Sequence, residues 1–146
     1  NIPCEVFSAV SMEPIAKRFN RNAAVSALEE GKVVVFGGGT GSPFFTTDTT
    51  AALRALEMNC EAVLKATKVD GIYTADPFKD PDAKRFSTLT YDEALNRKLA
   101  VMDAAAFSLC RDRNLPIIVL NFFEDGSLMR VLNGDFSAGT LVSSGK

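Results

Sequence analysis

Residues 33–36, Val-Val-Val-Phe, form a continuous apolar run that stops at Gly37-Gly38-Gly39-Thr40-Gly41. A run of this kind predicts a strand covered on both faces, as in a parallel sheet. A strand that ends in glycines and leads into a helix is the βα unit of an open α/β fold, so this one junction narrows the architecture more than any other stretch. The rest of the chain repeats the alternation. Residues 3–10 predict a strand, and Asn22 is the expected N-cap of a helix that stops at Gly31. A helix is predicted from near Asp48 to Met58, with Ala52, Leu53, Leu56 and Cys60 as its inner stripe. Strands follow at 61–67, 116–122 and 139–142, and helices open at the Thr90-x-x-Glu93 capping box, at Asp103 and at Ser127. Residues 78–86 are polar and Pro-containing and read as a surface loop. The expected fold is α/β, an open and mostly parallel sheet between helix layers, with residues 1–146 as part of one domain.

Composition removes whole classes of chemistry. There is no histidine, which excludes Ser-His-Asp and Cys-His catalysis and His-ligated zinc. The three cysteines, Cys4, Cys60 and Cys110, are far apart and odd in number, so they read as small buried hydrophobes in a reducing cytosol. No metal site of the chain's own is expected, and any metal should be a hard cation held by oxygen. The net charge is -2, so no general field draws nucleic acid or a membrane surface, and anion binding must come from local geometry. No apolar run is long enough to span a bilayer.

Two segments concentrate polar chemistry at predicted strand ends, where open α/β sheets bind ligands. In the first, glycine amides can approach an anion closely, and Thr40, Ser42, Thr46 and Thr47 add hydroxyls. A tight turn with surface threonines is the plain alternative, but four glycines in five residues exceed what a turn needs. The spacing is neither a P-loop nor G-x-G-x-x-G. At least one of Phe44 and Phe45 is expected to anchor this loop in the core, the other reading being an apolar wall beside a base or sugar. Asp48 reads as an N-cap and equally as a carboxylate that organises a lysine or magnesium, and the two roles are compatible. In the second segment, KATKVDGIYTADP, Lys65 and Lys68 bracket Thr67, Tyr73 can flank an adenine, and Asp76 can accept from a ribose. A hairpin with surface lysines would look the same. Asp103 is an N-cap candidate, and Asp80, Asp82, Lys84 and Arg85 read as a solvated loop.

The strings GTGSPFFTTD, LKATKVDGIYTADPFKDP, LTYDEAL, AVMDAAAF, LPIIVLN and GTLV together resemble the bacterial UMP kinases of the amino-acid-kinase superfamily. The match runs from about Asn22 to the end and is weaker over residues 3–19. The resemblance implies transfer of the ATP γ-phosphoryl group to UMP with magnesium, in pyrimidine nucleotide biosynthesis, by a cytoplasmic homohexamer often regulated by GTP and UTP. It implies UMP contacts at Thr40, Gly41, Ser42, Pro43, Phe44, Phe45, Thr46 and Thr47. It implies ATP contacts at Lys65, Thr67, Lys68, Tyr73 and Asp76, and carboxylates near the transferred group at Asp48 and Asp103. The family's lysine-containing K-x-S-G-E loop and its second, basic Gly-rich loop are not among these residues. The expectation is therefore a fragment with the N-terminal part missing, inactive by itself. Kinases of glutamate, acetylglutamate, aspartate or carbamate, and a non-catalytic nucleotide- or oxyanion-binding relative, are the rival readings.

Overall fold

A computed structural model describes residues 1–99 and 102–145. The chain divides into two compact units, Asn1–Asn59 and Cys60–Lys146.

The first unit holds β1 (Cys4–Ser8), β2 (Lys17–Arg18), α1 (Arg21–Glu29), β3 (Val33–Gly37) and α2 (Thr47–Glu57). Its sheet has the order β2-β1-β3, all parallel, with Phe7 opposite Phe36. Strand β1 is shorter than predicted because the chain turns after Ser8: Ser8 Oγ accepts from Val10 N at 3.2 Å, and Ala9 N donates to Gly37 O at 3.0 Å. Strand β3 is covered on one side rather than both. Alternate side chains point to opposite faces. Val34 and Phe36 pack with Phe7, Ala24 and Met58, while Val33 and Val35 remain 50% and 46% exposed.

Helix α1 is capped by Asn20, whose side chain accepts from Ala23 N at 3.0 Å, so Asn22 lies inside the helix and not at its cap. Gly31, at φ 78°, closes it as expected. Helix α2 is capped by Thr46, not Asp48. The Thr46 hydroxyl accepts from Asp48 N at 3.1 Å and Thr49 N at 3.3 Å, which leaves Asp48 in the first turn. Cys60 lies beyond the helix end and is exposed, as is Cys4; Cys110 alone matches the buried reading. Burial pushes the Cys110 thiol up to about 11, which keeps it unreactive.

The second unit holds β4 (Val63–Thr67), β5 (Thr88–Thr90), α3 (Tyr91–Asn96), α4 (Ala104–Asp112), β6 (Ile117–Asn121), α5 (Ser127–Leu132), a 3-10 turn (Phe136–Ala138) and β7 (Gly139–Ser143). Its sheet has the order β4-β6-β7-β5; β4 with β6 and β5 with β7 are parallel, and β6 with β7 is antiparallel. Strand β6 is buried from Ile117 to Leu120, as its unbroken apolar run requires. The capping box forms in full, and Asp103 caps α4 by accepting from Ala106 N at 2.9 Å. Tyr91 packs edge-on against Phe107 and donates its hydroxyl proton to Leu115 O.

Candidate functional site

In the first unit, the β3–α2 loop is built from left-handed backbone. Gly38, Gly39 and Gly41 have φ of 73°, 61° and 77°. A Cβ on Gly38 would stand 3.1 Å from Ser8 Oγ, and one on Gly41 3.2 Å from Ala9 O, so both space and φ demand glycine there. Thr40 Oγ1 accepts from Ser42 N at 3.1 Å and donates to Ser42 O at 3.2 Å, tightening the turn. Residues Ser42 to Thr47 are exposed and lead into the N-terminus of α2, where the helix dipole favours an anion, although the Asp48 and Thr49 N–H groups already donate to the Thr46 cap.

Phe44 and Phe45 are both exposed, so neither anchors the loop in the core. Phe44 also holds φ 71°, a left-handed backbone that is uncommon for a large side chain. The anchor is Arg54, a residue that the sequence reading passed over. Its guanidinium carbon lies 3.7 Å from the Phe19 ring centroid, Nη1 pairs with Glu57 at 2.6 Å, and Nη2 donates to Gly39 O at 3.4 Å.

In the second unit, a cleft of about 580 Å³ opens beside the C-terminal end of β4. That volume suits a small organic ligand. Lys65, Thr67, Tyr73 and Asp76 all line it, so four residues chosen from sequence share one wall. Lys68 is exposed and off the wall. Thr67 Oγ1 accepts from Val69 N at 3.0 Å and donates to Val69 O at 2.7 Å, shaping the turn after β4. Tyr73 donates to Asp70 Oδ1 at 2.6 Å, and that bond raises its phenol above the ordinary tyrosine range. Asp76 Oδ1 accepts from Phe78 N at 3.0 Å, and its other oxygen stands 3.5 Å from Lys79 Nζ.

The loop is fixed from behind. Thr140 Oγ1 accepts from Ile72 N at 2.8 Å and donates to Phe86 O at 2.5 Å. Gly71 leaves room for that hydroxyl, since a Cβ there would overlap Thr140 Oγ1. Arg85 is exposed, as expected of a solvated loop, but it is also bonded: its guanidinium donates to Asp70 O at 2.9 Å and Ser137 O at 3.1 Å, and pairs with Asp70 at 3.3 Å.

The cleft wall also includes Phe78, Arg97 and Lys98, which the sequence reading did not select. Two adjacent cations at the end of a capping-box helix were the available signal. With Lys65, they set three cations against the Asp76 carboxylate, an anion-favouring wall in a chain of net charge -2. Asp103 does not line the cleft; its carboxylate caps α4. Among the described residues, no group of three or more His, Cys, Asp or Glu could hold a metal ion.

Residues 1–121 match the model of the amino acid kinase family. The uridylate kinase of Pseudomonas paraeruginosa is 53% identical over 145 residues, which cover 99% of this chain and 59% of that protein. The crystal structure of UMP kinase from Bacillus anthracis superposes with a TM-score of 0.95 at 39% identity, over 99% of this chain and 59% of that one. The UMP kinase from Ureaplasma parvum gives 0.89 at 34% identity, over 97% and 60%. The chain thus spans about 59% of the length of these relatives. On the family match, its glycine-loop βα junction and its mostly parallel strands, this chain belongs to the amino acid kinase family.

Proposed function

We propose that the full-length protein transfers the γ-phosphoryl group of ATP to UMP, giving UDP for pyrimidine nucleotide synthesis. The observation that carries this reading is the cationic cleft at the end of β4, with Lys65, Thr67, Tyr73 and Asp76 on its wall. The similarity to uridylate kinases supports the choice of nucleotide. ATP occupies the cleft, with Tyr73 and Phe78 offering aromatic surface to the base, Asp76 accepting from the nucleoside, and Lys65 facing phosphate. UMP is held by the exposed β3–α2 loop, from Thr40 through Gly41, Ser42, Pro43, Phe44, Phe45 and Thr46 to Thr47, through amides and hydroxyls.

Phosphoryl transfer depends on positioning and on neutralising charge rather than on covalent chemistry. Asp48 and Asp103 fit the first role, each placed at a helix start, where they orient lysines or magnesium instead of removing a proton. Magnesium dehydrates reluctantly and is held by one or two carboxylates together with substrate phosphates. It supplies charge neutralisation on the phosphates.

The reading extends to a cytoplasmic homohexamer that acts on free nucleotides and not on nucleic acid or membrane. No helix among the described residues is long and apolar enough to cross a bilayer. It also holds that this chain alone is inactive, since the K-x-S-G-E type lysine loop is not among its residues. The test is a phosphoryl-transfer assay on the full-length protein with ATP and magnesium, offering UMP, CMP, dTMP, glutamate, acetylglutamate, aspartate and carbamate. Turnover confined to UMP is the expected result. Tight ATP binding with no turnover on any acceptor would replace the kinase reading with that of a binding protein.

A further inference from the structure

The five helices among the described residues all close through a left-handed residue, and four of these are Gly or Asn: Gly31, Asn59, Asn114 and Gly134. Those are the residue types for which that backbone conformation is least unfavourable. Helix α3 is the exception. It closes through Lys98 at φ 52°, with Lys98 N donating to Leu95 O at 3.0 Å and Leu99 N to Ala94 O at 3.1 Å. This cap needs only a residue that tolerates positive φ, and nothing in it uses an ammonium group. Unfavourable backbone of this kind concentrates where a side chain serves a ligand.

Lys98 has such a use. It lines the cleft beside β4, it is exposed, and it makes no ion pair among the described residues. Its neighbour Arg97 lines the same wall, with the guanidinium carbon 5.4 Å from the Phe86 ring centroid. Glu93, whose carboxyl is held low mainly by the Thr90 bonds of the capping box and to a smaller extent by the Arg97 charge, is committed to α3.

We propose that Lys98, with Arg97 beside it, is a phosphate-binding residue of the nucleotide cleft, contacting the phosphate chain of the bound nucleoside triphosphate. The proposal rests on the nucleotide reading of the cleft given above and adds a residue to it. An ammonium group is a donor-only point charge, which suits phosphate oxygens and does nothing for a purine face.

Equilibrium binding of ATP and of adenosine to the full-length protein tests it, using wild type, Lys98→Asn and Lys98→Arg. Asn suits the left-handed position, so Lys98→Asn should melt no lower than wild type. Its Kd for ATP should rise about tenfold, in line with one lost charge-assisted hydrogen bond. Its Kd for adenosine, which carries no phosphate, should not move, and Lys98→Arg should bind ATP as wild type does. Unchanged ATP affinity in Lys98→Asn would overturn the proposal and leave the cleft assignment standing. Equal losses for ATP and adenosine would overturn it in favour of a structural role. Failure of the wild type to bind either ligand would remove the cleft assignment itself, and the proposal with it.

Discussion

Replacing Thr140 by valine isolates the bond that holds the cleft loop onto the sheet. Thr140 is fully buried on β7, and its hydroxyl links Ile72 N, at 2.8 Å, with Phe86 O, at 2.5 Å. Valine keeps the branched shape and removes both bonds. Ile72 is only 3% exposed, so its N–H cannot turn to water. A buried donor left unsatisfied costs about 1–3 kcal/mol, and the loss at Phe86 O adds to this. The extra buried methyl returns roughly 1 kcal/mol. The net expectation is a destabilisation of about 2 kcal/mol, centred on the loop that carries Tyr73 and Asp76. Amide hydrogen exchange reads it directly: protection at Ile72 should fall roughly thirtyfold. Amides of the first unit should not change. A loss under about 0.5 kcal/mol at Ile72 would show that this hydroxyl does not hold the loop, and the reasoning would fail.

Two further perturbations probe the rest of the framework. Thr46→Ala removes the cap of α2 and should cost about 1 kcal/mol in urea unfolding of the first unit, whereas Asp48→Asn should cost less, because Asp48 is not the cap. In the second unit, the bonds from Ser137 and Arg130 hold the Asp135 carboxyl down to about 2. A carboxyl lowered on folding stabilises above its unfolded pKa of about 4 and loses that contribution as pH falls toward 2. Acid unfolding of the wild type should therefore steepen between about pH 4 and pH 2, and Asp135→Asn should flatten that segment.

The sequence was most readable where a structure is set by contiguous residues. The Thr90-x-x-Glu93 box, the Asp103 cap, the Gly31 stop and strand β6 all formed as the local pattern required. Where two chemically equal choices stood close together, as with Asn20 and Asn22 before α1, the pattern could not say which one caps. Elements that exist only through distant pairing left no local trace. Strand β5 is three residues recognised by Leu141 to Ser143 of β7, and β2 is two residues recognised by Phe7 and Ser8.

The same distinction runs through the candidate site. Lys65, Thr67, Tyr73 and Asp76 were legible because they follow one strand end in a single segment. Arg97 and Lys98 reach that wall from the end of α3; two adjacent cations behind a capping box are a faint local signal, and the packing of α3 shows where they go. Arg54 carries no local signal and Arg85 reads as a solvated cation, since a sequence does not show that Phe19 and Glu57, or Asp70 and Ser137, will lie beside them. The exposure of Phe44 and Phe45 was misjudged for a related reason. Both belong to an exposed loop that a sequence does not separate from buried chain, and Phe44 sits in left-handed backbone, uncommon for a large side chain.

We propose a division of labour, with ATP in the β4 cleft and UMP on the β3–α2 loop. Steady-state kinetics of the full-length protein, comparing Asp76→Asn with Thr47→Val, test it most directly. The account expects Asp76→Asn to raise KM for ATP about tenfold with KM for UMP unchanged, and Thr47→Val to do the reverse. If both variants shifted the same KM, or if the two effects were exchanged, the assignment of the two sites would be contradicted.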